Sequence, residues 1–136
     1  MPGHLIRRAH QHAVAAFADA VAASAQADVT PAQFAILQAL DAFGTLTLTR
    51  LVEAVALDAA TLGSTLDRLE AKGWVLRTAS SLDRRSKTLT LTDAGRGVLH
   101  RVWPHVHQAQ QQIVQRLELG EREQLVVLLR KLIGLG

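Results

Sequence analysis

The strongest constraint on the fold lies between Leu57 and Gly95, where the chain reads LDAATLGSTLDRLEAKGWV and then LRTASSLDRRSKTLTLTDAG. Asp58 can accept from the free amides of a first helical turn, and Gly73 suits the left-handed residue that ends such a helix. Between them Leu62, Leu66 and Leu69 recur at helical spacing, so one stripe must be buried. Thr61, Ser64, Thr65 and Arg68 repeat the spacing on another face. After Gly73 the period changes. Trp74 to Thr78 is strand-like, and Thr88-Leu89-Thr90-Leu91-Thr92 alternates strictly, which fits a strand with one buried side. The polar loop between these strands carries Asp83, Arg84 and Arg85.

The flanking sequence supplies helices. A first helix is predicted from Leu5 to about Ser24, with Leu5, Ala9, Ala13, Phe17 and Val21 every four residues. Thr30-Pro31-Ala32-Gln33 combines an N-cap, a proline at the first helical position and a capping-box glutamine, and starts a second helix that stops at Gly44. Thr47 caps a short third helix through Val55, joined to the Asp58-capped helix by two or three residues. That junction is a helix-turn-helix, and the hairpin after it makes the predicted architecture a mainly α winged helix-turn-helix with a two-stranded wing. Thr92 caps a long helix from Asp93 to about Leu117, kinked near Pro104. A last helix after Gly120 carries Leu125, Leu128, Leu129, Leu132 and Ile133 on one face.

The bulk properties agree. A chain of 136 residues suits one domain over 1–136, and 49% hydrophobic content with 4% aromatic residues favours helices packed through Ala, Leu and Val. The partition expected is 30–92 for the winged unit, with 5–24 and 93–135 as flanking helices. The apolar surplus of those helices, LLRKLIGLG at the C-terminal end above all, predicts a second subunit. Without cysteine, disulfides, thiolate metal sites and thiol redox chemistry are excluded. No apolar run reaches the roughly 20 residues of a membrane helix, and MPGHLIRRAHQHAV lacks a signal-peptide core. The expectation is a cytoplasmic protein with no membrane partner.

Charge points to the partner. From Arg68 to Arg101 eight basic residues face three acidic ones, Glu70, Asp83 and Asp93, while the rest of the chain is slightly negative. A local basic patch is the footprint of a polyanion, although a solvated basic surface gives the same count. Thr61, Ser64 and Thr65 can donate to and accept from bases or phosphates, and Arg68 reaches a phosphate or a guanine one turn on. Gly63 allows close approach to DNA or to a packed neighbour. In the loop, Arg85 can enter a minor groove while Asp83 pins it by a charge-assisted bond. Arg84 and Lys87 suit phosphate contacts. Six histidines (His4, His10, His12, His100, His105, His107) raise the alternative of a metal-responsive regulator, but no two stand at i, i+4. A winged helix that binds protein instead of DNA is a further alternative. Neither a nucleophile–base pair nor a phosphate-binding glycine loop is present, so no enzyme and no cofactor are expected.

With these residues in view, the chain resembles the MarR family of transcriptional regulators along essentially its whole length. The resemblance rests on TPAQFAILQAL, the helix ending LDRLEAKGWV, the wing DRRSKTLTLTDAG with its D-x-R pair at Asp83 and Arg85, and two closing helices. It implies a homodimer assembled through its terminal helices, acting as a repressor at a palindromic site in double-stranded DNA. Thr61, Ser64, Thr65 and Arg68 fall on the family's recognition helix, although many members carry a basic residue where Ser64 stands. Many members release DNA when a small phenolic or aromatic carboxylate binds between the dimerisation helices and the winged unit. For such an effector, Arg8 and His12 share one face of the first helix and Phe34 begins the second, a cation and an aromatic ring for an aromatic acid.

Overall fold

The computed structural model describes residues 1–24, 26, 28–79 and 87–135. Among the described residues, six helices and three short strands follow in the order α1 (Pro2–Ala23), α2 (Pro31–Phe43), β1 (Leu46–Thr47), α3 (Leu48–Ala54), α4 (Ala59–Ala71), β2 (Val75–Ala79), β3 (Lys87–Leu91), α5 (Asp93–Ile113) and α6 (Leu119–Leu132). The start signals act as their chemistry dictates. Thr30 Oγ1 accepts from the Gln33 amide at 3.1 Å, and Gln33 Oε1 accepts from the Thr30 amide at 3.3 Å, a complete capping box. Thr47, Asp58 and Thr92 each accept from the amide three residues on, at the heads of α3, α4 and α5. Gly73, with φ 76°, turns the chain out of α4 into β2.

The sheet holds more than the two strands expected. β3 lies in the middle, antiparallel to both neighbours in the order β1-β3-β2. Leu46 stands opposite Leu89 on one side, and Arg77 opposite Leu89 on the other. A two-residue strand has no periodicity to read; β1 exists because β3 offers it an open edge. α5 also ends at Ile113, four residues short of Leu117, and runs through Pro104 as one helix.

The core sits where α2, α3, α4, the sheet and α5 meet, and Phe17 and Ala20 of α1 extend it along the second half of α5 to Val106 and Ala109. Ile36, Leu37, Leu51, Leu62, Leu66, Leu69, Leu89 and Val102 are its fully buried side chains, each contributing about 1.5–3 kcal/mol by burial. Gly95 lets α5 approach the sheet: a methyl there would collide with the Trp74 carbonyl oxygen and come within 2.8 Å of Leu91 Cδ1. The ends of the chain are different. Met1 and residues 2–12 of α1 are all exposed, and α6 buries none of its residues.

Candidate nucleic-acid interface

α4 owes its outward face to its inward one. Leu62, Leu66 and Leu69 lock it against the core, leaving Ser64, Asp67, Arg68 and Ala71 exposed. At its head, Asp58 Oδ1 accepts from the Thr61 amide at 2.7 Å and Oδ2 from the Thr61 hydroxyl at 2.8 Å. The backbone amide, then the hydroxyl, hold the Asp58 carboxyl below the usual carboxylate range. The cap therefore stays ionised at neutral pH, and its contribution fades only as pH falls through that lowered value. Ser64 Oγ donates to the Thr61 carbonyl at 3.2 Å and remains exposed.

Thr65 behaves otherwise. Only 7% of it is exposed, and its hydroxyl donates to the Thr61 carbonyl at 2.6 Å. The spacing groups Thr65 with Thr61 and Arg68, but the roll of α4 against the core turns it inward. Three of the four recognition-helix residues thus share a reachable face: Thr61, half-buried, and the exposed Ser64 and Arg68. Gly63 borders that face, and no heavy atom lies within 4 Å of where its methyl would be. It also lines a cleft of about 540 Å³ with Thr47, Thr49, Asp67, Arg77 and Lys87, where α3, α4 and the sheet converge.

The basic patch resolves into two classes. Arg77, on β2, reaches Asp67 Oδ1 and Glu70 Oε2 of α4, both at 3.4 Å. Arg96 pairs with Asp41 at 3.6 Å and Asp93 at 3.4 Å, and Arg101 donates to Gln26 Oε1 at 2.9 and 3.2 Å. Lys72 donates to the Asp28 carbonyl and, at 3.2 Å, to Gln33 Oε1. These four are engaged within the subunit. Arg68 and Lys87 have no ion-pair or hydrogen-bond partner among the described residues and lie exposed on the α4 face and at the start of β3. Asp83, Arg84 and Arg85, at the expected wing tip, lie outside the described residues. The arrangement offers a polyanion a hydroxyl-bearing helix face flanked by unspent cations.

The effector residues do not converge within one subunit. Phe34 is 6% exposed, its ring stacked on Trp103 at 6.1 Å and meeting Phe17 edge-on at 5.9 Å. Arg8 and His12 lie on the exposed arm of α1. A largely apolar cavity of about 630 Å³ opens between α1 and the start of α2, lined by Val14, Phe17, Ala18, Val21, Val29 and Pro31. At 100° per residue, His12 points roughly 160° away from Val14, so the i, i+4 pair faces another way. Trp103 escaped the sequence reading. With only three Phe and two Trp in the chain, an aromatic on each of three apolar helix faces was the available signal. Among the described residues no three His, Asp or Glu gather as a metal-ligand set.

Comparison with known proteins places this geometry. The MarR family model matches residues 29–87, from the α1–α2 junction to the start of β3. The transcriptional repressor NicR of Pseudomonas putida is 33% identical over 131 residues, covering 96% of this chain and 81% of NicR. BpsR of Bordetella bronchiseptica, whose DNA binding is regulated by 6-hydroxynicotinic acid, superposes with a TM-score of 0.89 at 35% identity, covering 98% of this chain and 94% of its own. A mutant of MarR from Escherichia coli in complex with operator DNA gives a TM-score of 0.82 at 27% identity, covering 96% of this chain and 91% of its own. These relatives are regulators and not enzymes. No helix among the described residues is long and apolar enough to cross a membrane. With the winged unit matched by the family model and the full chain matched by a repressor, the protein belongs to the MarR family of transcriptional regulators.

Proposed function

We propose that this protein is a homodimeric repressor that holds a palindromic operator and leaves it when a small aromatic carboxylate binds. The observation that carries the reading is the outward face of α4, where Thr61, Ser64 and the unpaired Arg68 remain reachable, while Gly63 and Asp67 of the same helix share a cleft with Lys87 of β3. Short hydroxyls and a free guanidinium are the groups that read base edges and phosphates in a major groove. Thr65, turned inward, supports that face through the Thr61 carbonyl. Arg85 enters the minor groove with Asp83 holding it, and Arg84 takes a phosphate. Residues 5–24 and 93–135 join the subunits, because the arm of α1 and all of α6 leave apolar surface that one subunit does not cover. Operator DNA puts the site of action in the cytoplasm.

The effector class is suggested by BpsR, which responds to 6-hydroxynicotinic acid. The α1–α2 cavity has the apolar lining an aromatic ring needs, and Phe34 lies outside that lining, supporting it through its edge-on contact with Phe17. Arg8 supplies positive charge and His12 a hydrogen-bonding ring from the arm of α1, at the subunit interface and not inside their own subunit. Binding can shift the DNA-bound population only through a different affinity for the two shapes of the dimer.

Fluorescence anisotropy tests this. The protein is titrated onto its own upstream intergenic DNA and onto a scrambled duplex, across a salt series, with and without a panel of aromatic acids. Binding that prefers the native sequence and weakens steeply with salt is expected, because phosphate contacts release counterions. One acid should abolish it. Equal, weak binding to both duplexes overturns the reading in favour of a winged helix that no longer reads DNA.

A further inference from the structure

We propose that Lys72 is a positioning residue that ties the C-terminal end of the recognition helix to the α1–α2 junction, and that it neutralises no phosphate. The inference rests on the reading above that α4 lies in the groove. Lys72 is the C-cap of α4, inside the basic segment, and by charge alone counts as a phosphate ligand. Its surroundings say otherwise. The ammonium has three N–H donors. One goes to the Asp28 carbonyl and one to Gln33 Oε1 at 3.2 Å, and the charge lies 4.5 Å from the centre of the Trp74 ring.

Two of those partners, Gln33 and Trp74, are themselves held by other contacts. Gln33 is 3% exposed, and its Oε1 is held by the Thr30 amide in the capping box of α2. Asp28 adopts a left-handed φ of 65°, one of the few side chains that tolerate it. Trp74 belongs to the turn that leaves α4 and packs against the core. The ammonium therefore bridges three segments, and moving it to a phosphate would undo both hydrogen bonds and the ring contact. Asp58 caps α4 at its head, and the leucines hold the helix against the core along its length. Lys72 adds the constraint at the far end, which sets the pitch of the helix relative to α2. A helix reading bases is sensitive to that pitch, whereas non-specific attraction to phosphate is not.

The test compares Lys72→Met, Lys72→Arg and the unaltered protein on the selected upstream duplex and on a scrambled one, across a salt series, with thermal melts recorded alongside. K72M keeps the alkyl stem and removes the charge. The expected result is an affinity about tenfold lower for the selected duplex, with the scrambled-duplex affinity and the salt slope unchanged. K72R, whose guanidinium can donate to both oxygens, restores most of the loss. If Lys72 contacts phosphate instead, K72M weakens both duplexes alike and lowers the salt slope by about two per dimer, one contact from each subunit, which overturns the inference. Unchanged selectivity in folded K72M overturns it equally. K72Q, polar and uncharged, carries the same comparison where the apolar tip of K72M lowers the melting temperature below the assay. An unaltered protein that fails to distinguish the two duplexes sinks the regulator reading itself, a result separate from any behaviour of the variants.

Discussion

Gly63 and Gly95 are the same residue under opposite constraints, and substitution should separate them. Around Gly63 there is open space, and a mid-helix glycine costs about 1 kcal/mol relative to alanine. Gly63→Ala should therefore raise stability by about 1 kcal/mol in denaturant titration, yet weaken operator binding if the missing side chain admits the DNA backbone. Equal or tighter operator binding would assign Gly63 no role at the interface. At Gly95 a methyl meets the Trp74 carbonyl and the Leu91 side chain with no room to give. Gly95→Ala should destabilise by about 1–3 kcal/mol, as overpacking does, visible as a lower melting temperature. The segment LTDAG, Leu91 to Gly95, could be read from the sequence as the end of the DRRSKTLTLTDAG pattern. Its reason, the closeness of α5 to the turn after α4, could not.

Elements in this molecule are joined by side chains that the charge count misassigned. Arg77 links β2 to α4 through Asp67 and Glu70, so the wing and the recognition helix are tied as one piece. Its side chain is only a quarter exposed, but both carboxylates face solvent, and such pairs contribute about 0–1 kcal/mol to stability. Arg77→Met should accordingly cost under about 1 kcal/mol in a melt while lowering operator affinity several-fold, because helix and wing would no longer present a fixed spacing. Anisotropy beside calorimetry checks both halves, and loss of affinity only in proportion to lost stability would refute the role. The helix boundaries around these contacts were legible because Thr30, Thr47, Asp58 and Thr92 each carry a local capping signal. β1 and the early end of α5 were not, since neither is set by residues next to it in the chain.

At the scale of the whole molecule, the uneven distribution of the core is the governing fact. The winged unit is well buried, whereas Leu5 is 65% exposed on α1 and Leu128 and Leu132 are each 61% exposed on α6. Apolar helix faces of that extent need a partner. Two-fold pairing through them would hold two copies of α4 at the roughly 34 Å separation that successive major grooves demand. Leu128→Glu should weaken the dimer by at least about 100-fold, because each of the two symmetry-related leucines loses about 1.5–3 kcal/mol of burial. Sedimentation should show monomers at micromolar concentration, with helix content retained and operator affinity lost together with the dimer. A dimer of unchanged stability would move the interface elsewhere.

The sequence by itself determined the helices with caps, the alternating strand β3, the buried leucine stripe of α4 and the position of the wing, because each depends on neighbours within a turn or a pleat. It also determined the family, through motifs that lie close together along the chain. Only the tertiary structure decided which polar residues remain free. It turned Thr65 inward, seated Phe34 between Phe17 and Trp103, separated Arg8 and His12 from the α1–α2 cavity, and engaged Lys72, Arg77, Arg96 and Arg101 within the subunit. The physical reason is range. Helical and strand periodicity report the angle of a side chain around its own element, but the roll of that element against its neighbours, and the acceptors brought to it from distant residues, exist only after packing.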